Sequence, residues 1–304
     1  PTVPLVPALL AISDMQPVSG RAFLEAFIVG YEAEVLTAEM VGEGHYNLGW
    51  HMTATVGTVG AAAASARLLG LDAEQTAHAL GLAIAQAAGL KSMFGTMSKP
   101  FQVGKAAMNG LLAARLAKKG MTSRTDAIEC AQGLADTQSD GFFPAEITSG
   151  GNRAFAVEGN LFKYHAACYL THSPIEAARR LRELHSIKPD AVERATIEVN
   201  KDALTVCNID RPDTGLQIKF SLKHTVGMAL SGMNTGALDT YTDENAQDET
   251  LRDLGKRSVV VGVESDIWSH GRVKLDLKDG SSVEEVENVG VPASDQPEQR
   301  RRLL

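Results

Sequence analysis

Apolar residues recur at three- and four-residue steps through the first half of the chain. After Ser19, a candidate N-cap, the residues Phe23, Leu24, Phe27, Ile28 and Tyr31 mark one face of a helix reaching about Met40, and Gly42 and Gly44 then open a loop. From about Thr53 a run of Val, Gly, Ala and Ser ends at Leu69 and Gly70, a glycine suited to a left-handed C-cap. Asp72 followed by Gln75 approximates a capping box for a second Ala-rich helix through about Ala88. A third runs from about Pro100 to Lys119 with Gly120 just beyond it. Such small-residue helices predict a tightly packed helical core.

Near residue 190 the period changes from helical to alternating. Arg194–Asn200 and Ser258–Glu264 read as strands, and Arg272–Leu277 meets Ser282–Val286 across Lys278-Asp279-Gly280, a hairpin signal. Between them Lys219–Leu230 keeps helical spacing. The fold class is therefore mainly α: a helical domain over 1–165 followed by a smaller α+β domain over 166–290. The polar tail that follows carries Arg300, Arg301 and Arg302, read as a solvated helix end.

Composition narrows the functional classes. The 304 residues are 44% hydrophobic and 22% charged, with 29 basic against 37 acidic side chains, so the net charge of −8 and the lack of a basic run argue against nucleic acid as a partner. No apolar run approaches the ~20 residues of a membrane span, so no membrane partner is expected. Cys130, Cys168 and Cys207 are odd in number and form no C-x-x-C pair, which fits a reducing cytoplasm and gives no metal cradle. Phosphate-loop, dinucleotide and G-x-S-x-G patterns are missing as well.

Three junctions concentrate polar chemistry. The first, His45-Tyr46-Asn47-Leu48-Gly49-Trp50-His51, lies ahead of the small-residue helix, where backbone N–H groups favour an anion; alternatively His51 caps the helix while Tyr46 and Trp50 fill a groove. In the second, Lys99 precedes a proline-started helix, a cation placed against the helix dipole, which suits either an anionic ligand or plain solvation. The third, Phe162 to Pro174, gathers Lys163, His165, Cys168 and His172 with Tyr164 and Tyr169; a buried lysine there can act as a base, or the segment can be a polar hinge.

Together these segments resemble the MmgE/PrpD family. The likeness is carried by Gly49-Trp50-His51 with Thr53, Thr55 and Gly57, by Leu68 to Leu71, Ala79-Leu80-Gly81 and Gly89-Leu90, by Ser98-Lys99-Pro100 with Gly104, by Lys163 to Pro174, and by Lys219-Phe220-Ser221-Leu222. The resemblance implies a helical domain and a smaller α+β domain with a cleft site between them, a homodimer, no metal and no organic cofactor. It also implies a small di- or tricarboxylic acid as substrate, with a proton or CO2 lost beside a carboxylate.

Carried over by position, Lys163 is the candidate base, and His51 and Tyr46 are further catalytic candidates. Lys99, His224, His165 and Cys168 are candidate substrate-binding residues. His224 stands where decarboxylase-like members carry Tyr, and Cys168 where they carry His, which argues against decarboxylation; Gln102 replaces a His found in many relatives. The expected reaction is therefore dehydration of the 2-methylcitrate dehydratase type. An epimerase using Tyr46 and Lys163 on opposite faces is the alternative.

Family members also carry an acidic segment upstream of a His-Pro, and Pro1 resembles that proline. The tail 291–304 is expected to return toward the helical domain. On this reading the chain lacks the acidic segment, exposes apolar surface and tends to associate, and a non-catalytic binding or assembly role is the remaining alternative.

Overall fold

The computed structural model describes residues 1–144, 154–292 and 294–303. It divides into two compact units, one made of Pro1–Met93 and Met97–Asn160, the other of Phe94–Thr96 and Leu161–Leu304. Helices dominate, with one small sheet, as the two hydrophobic periods predict.

The first unit holds α1 (Thr2–Met15), α2 (Gly20–Asn47), α3 (Met52–Leu69), α4 (Ala73–Ile84), α5 (Ser98–Lys118) and the short α6 (Leu134–Gln138). Every residue of α3 from Ala54 to Ala66 is buried, and α1, α2, α4 and α5 all pack against it. A helix apolar on all sides needs neighbours on all sides. Glycine sets how close those neighbours come. A Cβ on Gly30 of α2 would lie 2.8 Å from the Gly60 carbonyl oxygen, and one on Gly110 of α5 would lie 2.5 Å from the Ala61 Cβ.

The predicted end signals are in place. Ser19 accepts from the Ala22 amide at 3.2 Å, Asp72 and Gln75 form a reciprocal capping box, and Gly70 closes α3 in the left-handed conformation at φ 70°. Three local expectations need correction. α1 is a helix where the sequence reading begins helices only after Ser19; Pro1 is its N-cap and Pro4 falls in the first turn, where no intrahelical N–H bond is lost, although Pro7 lies inside it. Gly42 does break α2, at φ 63°, but the chain resumes helical hydrogen bonding to Asn47 instead of entering a loop. His45 and Tyr46 therefore ride on a helical turn. α4 also stops at Ile84, short of Ala88.

α5 turns Phe101, Met108 and Leu112 outward, 69%, 56% and 43% exposed, on one helical face of the first unit. The three side chains form an exposed apolar strip along that helix. No helix among the described residues is long and apolar enough to cross a membrane.

In the second unit α7 (His172–His185) precedes β1 (Val192–Asn200), and α8 (Ala203–Val206), α9 (Gly215–Ile218), α10 (Leu222–Leu230), α11 (Asp243–Gln247) and α12 (Glu249–Lys256) lead to β2 (Ser258–Val263). β3 (His270–Leu277), β4 (Ser282–Asn288) and α13 (Gln296–Leu303) follow. The strand order is β2-β1-β3-β4, with β1 parallel to β2 (Ile197 opposite Val260) and antiparallel to β3 (Ile197 opposite Val273). Alternation puts Ala195, Ile197, Val273 and Leu275 in the core. The turn after β3 uses Gly280 at φ 86°, as the hairpin signal requires.

α7 lies against β3 and β4. Gly271 makes room for its first turn, since a Cβ there would sit 2.6 Å from both the Pro174 Cδ and the Ser173 Cβ. Ser173 pins that turn by donating to the Ser269 carbonyl at 2.5 Å and accepting from the Val289 amide at 3.1 Å. His172 is thereby fixed at the helix start.

Two glycines on α5 test the close approach. Gly110→Ala should cost about 1–3 kcal/mol by overpacking, whereas Gly104, with open space around its Cβ position, should gain up to about 1 kcal/mol from better helix propensity when changed to Ala. Urea unfolding of both variants measures the contrast; equal effects would refute the packing argument.

Candidate functional site

In the first unit the polar residues gather around the start of α3. His51 is its N-cap by position, although its side chain makes no capping hydrogen bond; the backbone is held by the His51 amide donating to the Gly89 carbonyl at 2.9 Å. Its ring is 4% exposed, and Nδ1 lies 2.9 Å from the Gln102 Oε1. An amide oxygen can only accept, so Nδ1 carries the hydrogen and Nε2 keeps its lone pair. Burial lowers the His51 pKa, the Gln102 hydrogen bond opposes that shift and the charge of Lys99 adds to it. His51 is thus a neutral imidazole at neutral pH, fit to accept a proton or a hydrogen bond at Nε2.

Gln102, where relatives were expected to carry His, holds the His51 ring in orientation. Lys99, in the first turn of α5, is close enough to act on His51 electrostatically. Tyr46 is half-buried, and the Lys91 Nζ stands 3.6 Å over its ring while donating to the Tyr46 carbonyl at 3.1 Å. Such a contact orients both groups. Lys91 was not singled out from sequence, because its partner lies 45 residues away.

His45 also belongs here. It is fully buried, its Nδ1 donates to the Gln138 carbonyl at 2.8 Å, and Nε2 accepts from the Thr55 hydroxyl at 2.7 Å. Burial lowers its pKa, with the Gln138 carbonyl opposing, so the ring stays neutral and this tautomer follows. Stacked on Trp50 at 5.9 Å, it serves as a rigid support for the turn that carries Tyr46.

In the second unit the candidates line the segment before α7 and the helices after β1. The Lys163 Nζ donates to the Ala167 carbonyl at 2.9 Å. The residue as a whole is exposed, while that hydrogen bond holds the amine itself against its own segment. Burial of that amine lowers the Lys163 pKa below the ordinary lysine value, with Cys168 opposing and the positive Lys219 adding to the shift. Lys219, whose pKa burial also lowers, sits 5.1 Å over the Tyr241 ring. The Cys168 amide donates to the Lys219 carbonyl at 2.9 Å, so the two segments are bound edge to edge. Cys168 itself is buried.

His165 and His224 are also buried. The His165 Nε2 is 2.9 Å from Glu176 and its Nδ1 is 2.8 Å from the Thr235 hydroxyl, so both ring nitrogens are engaged within the unit. The His224 Nε2 donates to the Asn245 carbonyl at 2.9 Å, which leaves Nδ1 with a lone pair; burial lowers its pKa, with that carbonyl opposing. The structure thus brings Lys163, His165 and Cys168 together on one segment, and Tyr46, His51 and Lys99 together around α3.

Glu176 escapes the sequence reading, and His172 figures in it only as one polar residue of the third junction. Glu176 is 6% exposed and paired with His165, Arg179 and Arg302. Although burial raises its pKa, hydrogen bonds from His165 and Arg179 outweigh that and bring it down to about 2. His172 is fully buried between Tyr169, stacked at 4.7 Å, and His165, edge-on at 4.9 Å. Neither of its ring nitrogens makes a hydrogen bond among the described residues. Burial first, then His165 and Lys163, push its pKa down to about 3, against weaker pulls from the Ala167 carbonyl and Glu176. The i, i+3 spacing of Glu176 and Arg179 was the readable signal; Arg302 gave none.

Among the described residues no group of three His, Cys, Asp or Glu side chains could hold a metal ion. The candidate residues described above include amines, imidazoles and a phenol, which can transfer protons and support carboxylates electrostatically.

Comparison with known proteins agrees with the residues. The model of the MmgE/PrpD N-terminal domain matches residues 1–146, and that of the MmgE/PrpD C-terminal domain matches 165–302. The chain belongs to the MmgE/PrpD family. Among curated proteins it is similar to cis-aconitate decarboxylase of Aspergillus terreus, 28% identical over 92% of this chain and 63% of that protein. It is also similar to the cis-aconitate decarboxylase-like protein oryM of Aspergillus oryzae, 28% identical over 93% of this chain and 64% of that one. The cis-aconitate decarboxylase of Mus musculus is 27% identical over 76% of this chain and 49% of its own length. This MmgE/PrpD chain thus spans less than two thirds of the length of these relatives.

The depressed pKa values make a stability prediction. Folded Glu176 binds fewer protons than an unfolded Glu between about pH 4.5 and 2, and folded His172 fewer than an unfolded His between about 6.5 and 3. Both contributions are complete above pH 6.5 and decline as the pH falls, the His172 share first. The urea midpoint should therefore drop steadily below pH 6.5 and more steeply below 4.5. His172→Phe, which keeps a ring on Tyr169, should flatten the upper part of that decline; an unchanged slope would show that His172 is not buried neutral.

Proposed function

We propose that this chain is a lyase acting on a small di- or tricarboxylic acid, with dehydration as its reaction. The observation that carries the reading is Lys163, an amine whose pKa is lowered by burial beside a second cation, Lys219. Such an amine is uncharged more of the time and can take a proton from carbon. The Lys163 Nζ removes the proton next to a substrate carboxylate, and the C–H electron pair becomes the new C=C bond. The C–O bond on the neighbouring carbon then breaks with its pair, and a protonated group delivers the hydrogen that lets water leave. Lys219 and Lys99 offset the charge that accumulates on the carboxylate. Tyr46 is the proton donor of this scheme, the His51 Nε2 lone pair accepts a hydrogen bond from a protonated group of the substrate, and His224 and Cys168 shape the substrate pocket.

Decarboxylation is the second reading, favoured by the names of the curated relatives. Against it stand His224 and Cys168, which occupy positions where decarboxylase-like members are expected to carry Tyr and His. The two reactions differ in what leaves: water in one, CO2 in the other.

Incubating the full chain with citrate, 2-methylcitrate and cis-aconitate in D2O, with proton NMR and CO2 detection, separates them. Dehydration gives or consumes an alkene without CO2; epimerisation gives deuterium incorporation without an alkene. Lys163→Ala should lower turnover by about 100-fold or more, the usual loss for a general acid–base group. In the wild type the rate should rise with pH and level off below 10.5, the ordinary lysine value. Turnover by Lys163→Ala within about threefold of wild type would eliminate the assigned base, and no turnover of any of the three acids would leave a binding or assembly role.

A further inference from the structure

Glu176 ties three segments of the second unit together. Its Oε1 accepts from the His165 Nε2 at 2.9 Å and from the Arg302 Nη2 at 2.5 Å, while Oε2 accepts from the Arg179 Nη2 at 2.6 Å. Arg302 comes from α13, 126 residues further along the chain. Its guanidinium also lies 3.9 Å over the Tyr164 ring. Arg302 therefore holds both residues that follow Lys163, Tyr164 by direct contact and His165 through Glu176. A cavity of about 440 Å³ opens among these side chains, and Arg302 forms part of its wall.

A buried carboxylate needs a cationic partner. Arg179, four residues from Glu183 and three from Glu176 on the same helix, already supplies one. Neutralisation alone does not call for a second arginine from a distant helix. A tie between α13 and the segment that carries Lys163 does.

We propose that Arg302 is a positioning residue for Lys163, acting through Tyr164 and the Glu176–His165 pair to hold the amine against the Ala167 carbonyl. The proposal rests on the reading of Lys163 as the base. The groups facing Lys163 are Cys168 on its own segment, His172 on α7 and Lys219 after α9. Those facing Glu176 are His165, Arg179, Arg302 and, from β4, Glu287, which pairs with Arg180 at 2.8 Å. Removing Arg302 opens the cavity at Tyr164 to water and leaves the region more negative. Both changes favour the ammonium form of Lys163, so its use as a base declines.

The test uses the full chain with Arg302→Ala, Arg302→Lys and, as a control on the same helix, Arg300→Ala. Two readouts are independent of turnover: amide hydrogen exchange of residues 161–168, and the pH midpoint for acetic anhydride labelling of Lys163. Arg302→Ala should speed exchange in that segment about tenfold, as expected for loss of one charged hydrogen bond. It should also move the labelling midpoint up toward 10.5, with partial recovery in Arg302→Lys and no change in Arg300→Ala. Exchange and midpoint in Arg302→Ala equal to those in Arg300→Ala overturn the proposal. If wild-type Lys163 already labels as an ordinary lysine while Arg302→Ala still loosens 161–168, the tie stands and the reading of Lys163 as base falls.

Discussion

The backbone of α3 is approached so closely by α2 and α5 that no side chain fits at Gly30, Gly60 or Gly110. That approach fixes where the N-terminus of α3 lies, and with it the His51 ring. Gln102 reaches that ring from α5, and His45 stacks on Trp50 from α2. Each support comes from a helix whose distance to α3 is set by atoms in hard contact rather than by flexible side chains. Orientation of His51 is thus inherited from helix packing, and its single tautomer follows from one amide oxygen.

The second unit solves the same problem by polar means. Its sheet and α7 are joined through Ser173 and the space left by Gly271, and the segment before α7 is held by hydrogen bonds to Thr235, Glu176 and Lys219. In a low-dielectric setting each of these bonds is stronger than it would be in water, and each unpaired group costs more. Among the described residues His172 has no hydrogen bond at either ring nitrogen, and burial holds it neutral beside the Lys163 amine, whose pKa burial also lowers.

Sequence patterns revealed most of the architecture because the signals were local. The Asp72–Gln75 box, Gly70, the Gly280 turn and the alternation in β1 and β3 each act within a few residues of themselves. α1 was hidden because its prolines lie where a helix tolerates them only partly, and the turn beyond Gly42 was hidden because one left-handed residue can interrupt a helix without ending it. The candidate site was legible as a set of residue types in three segments, with Lys163, His51 and Tyr46 among them. Its working parts were less so. Lys91, Thr235 and Arg302 meet their partners only through the fold, and nothing in their neighbourhoods along the chain distinguishes them from solvated residues.

β1 and β2 are parallel neighbours, yet residues 201–257 lie between them, and that excursion carries Lys219, His224, Thr235 and Tyr241. The strand pairing is made by backbone groups and by core residues of β1 and β3, whereas the candidates Lys219 and His224 sit on the connection. The second unit is in this sense a frame with an exchangeable insert. Side chains on the insert can be replaced while the register of the sheet stays as it is, so change in the connection and constancy of the frame are separable in this fold.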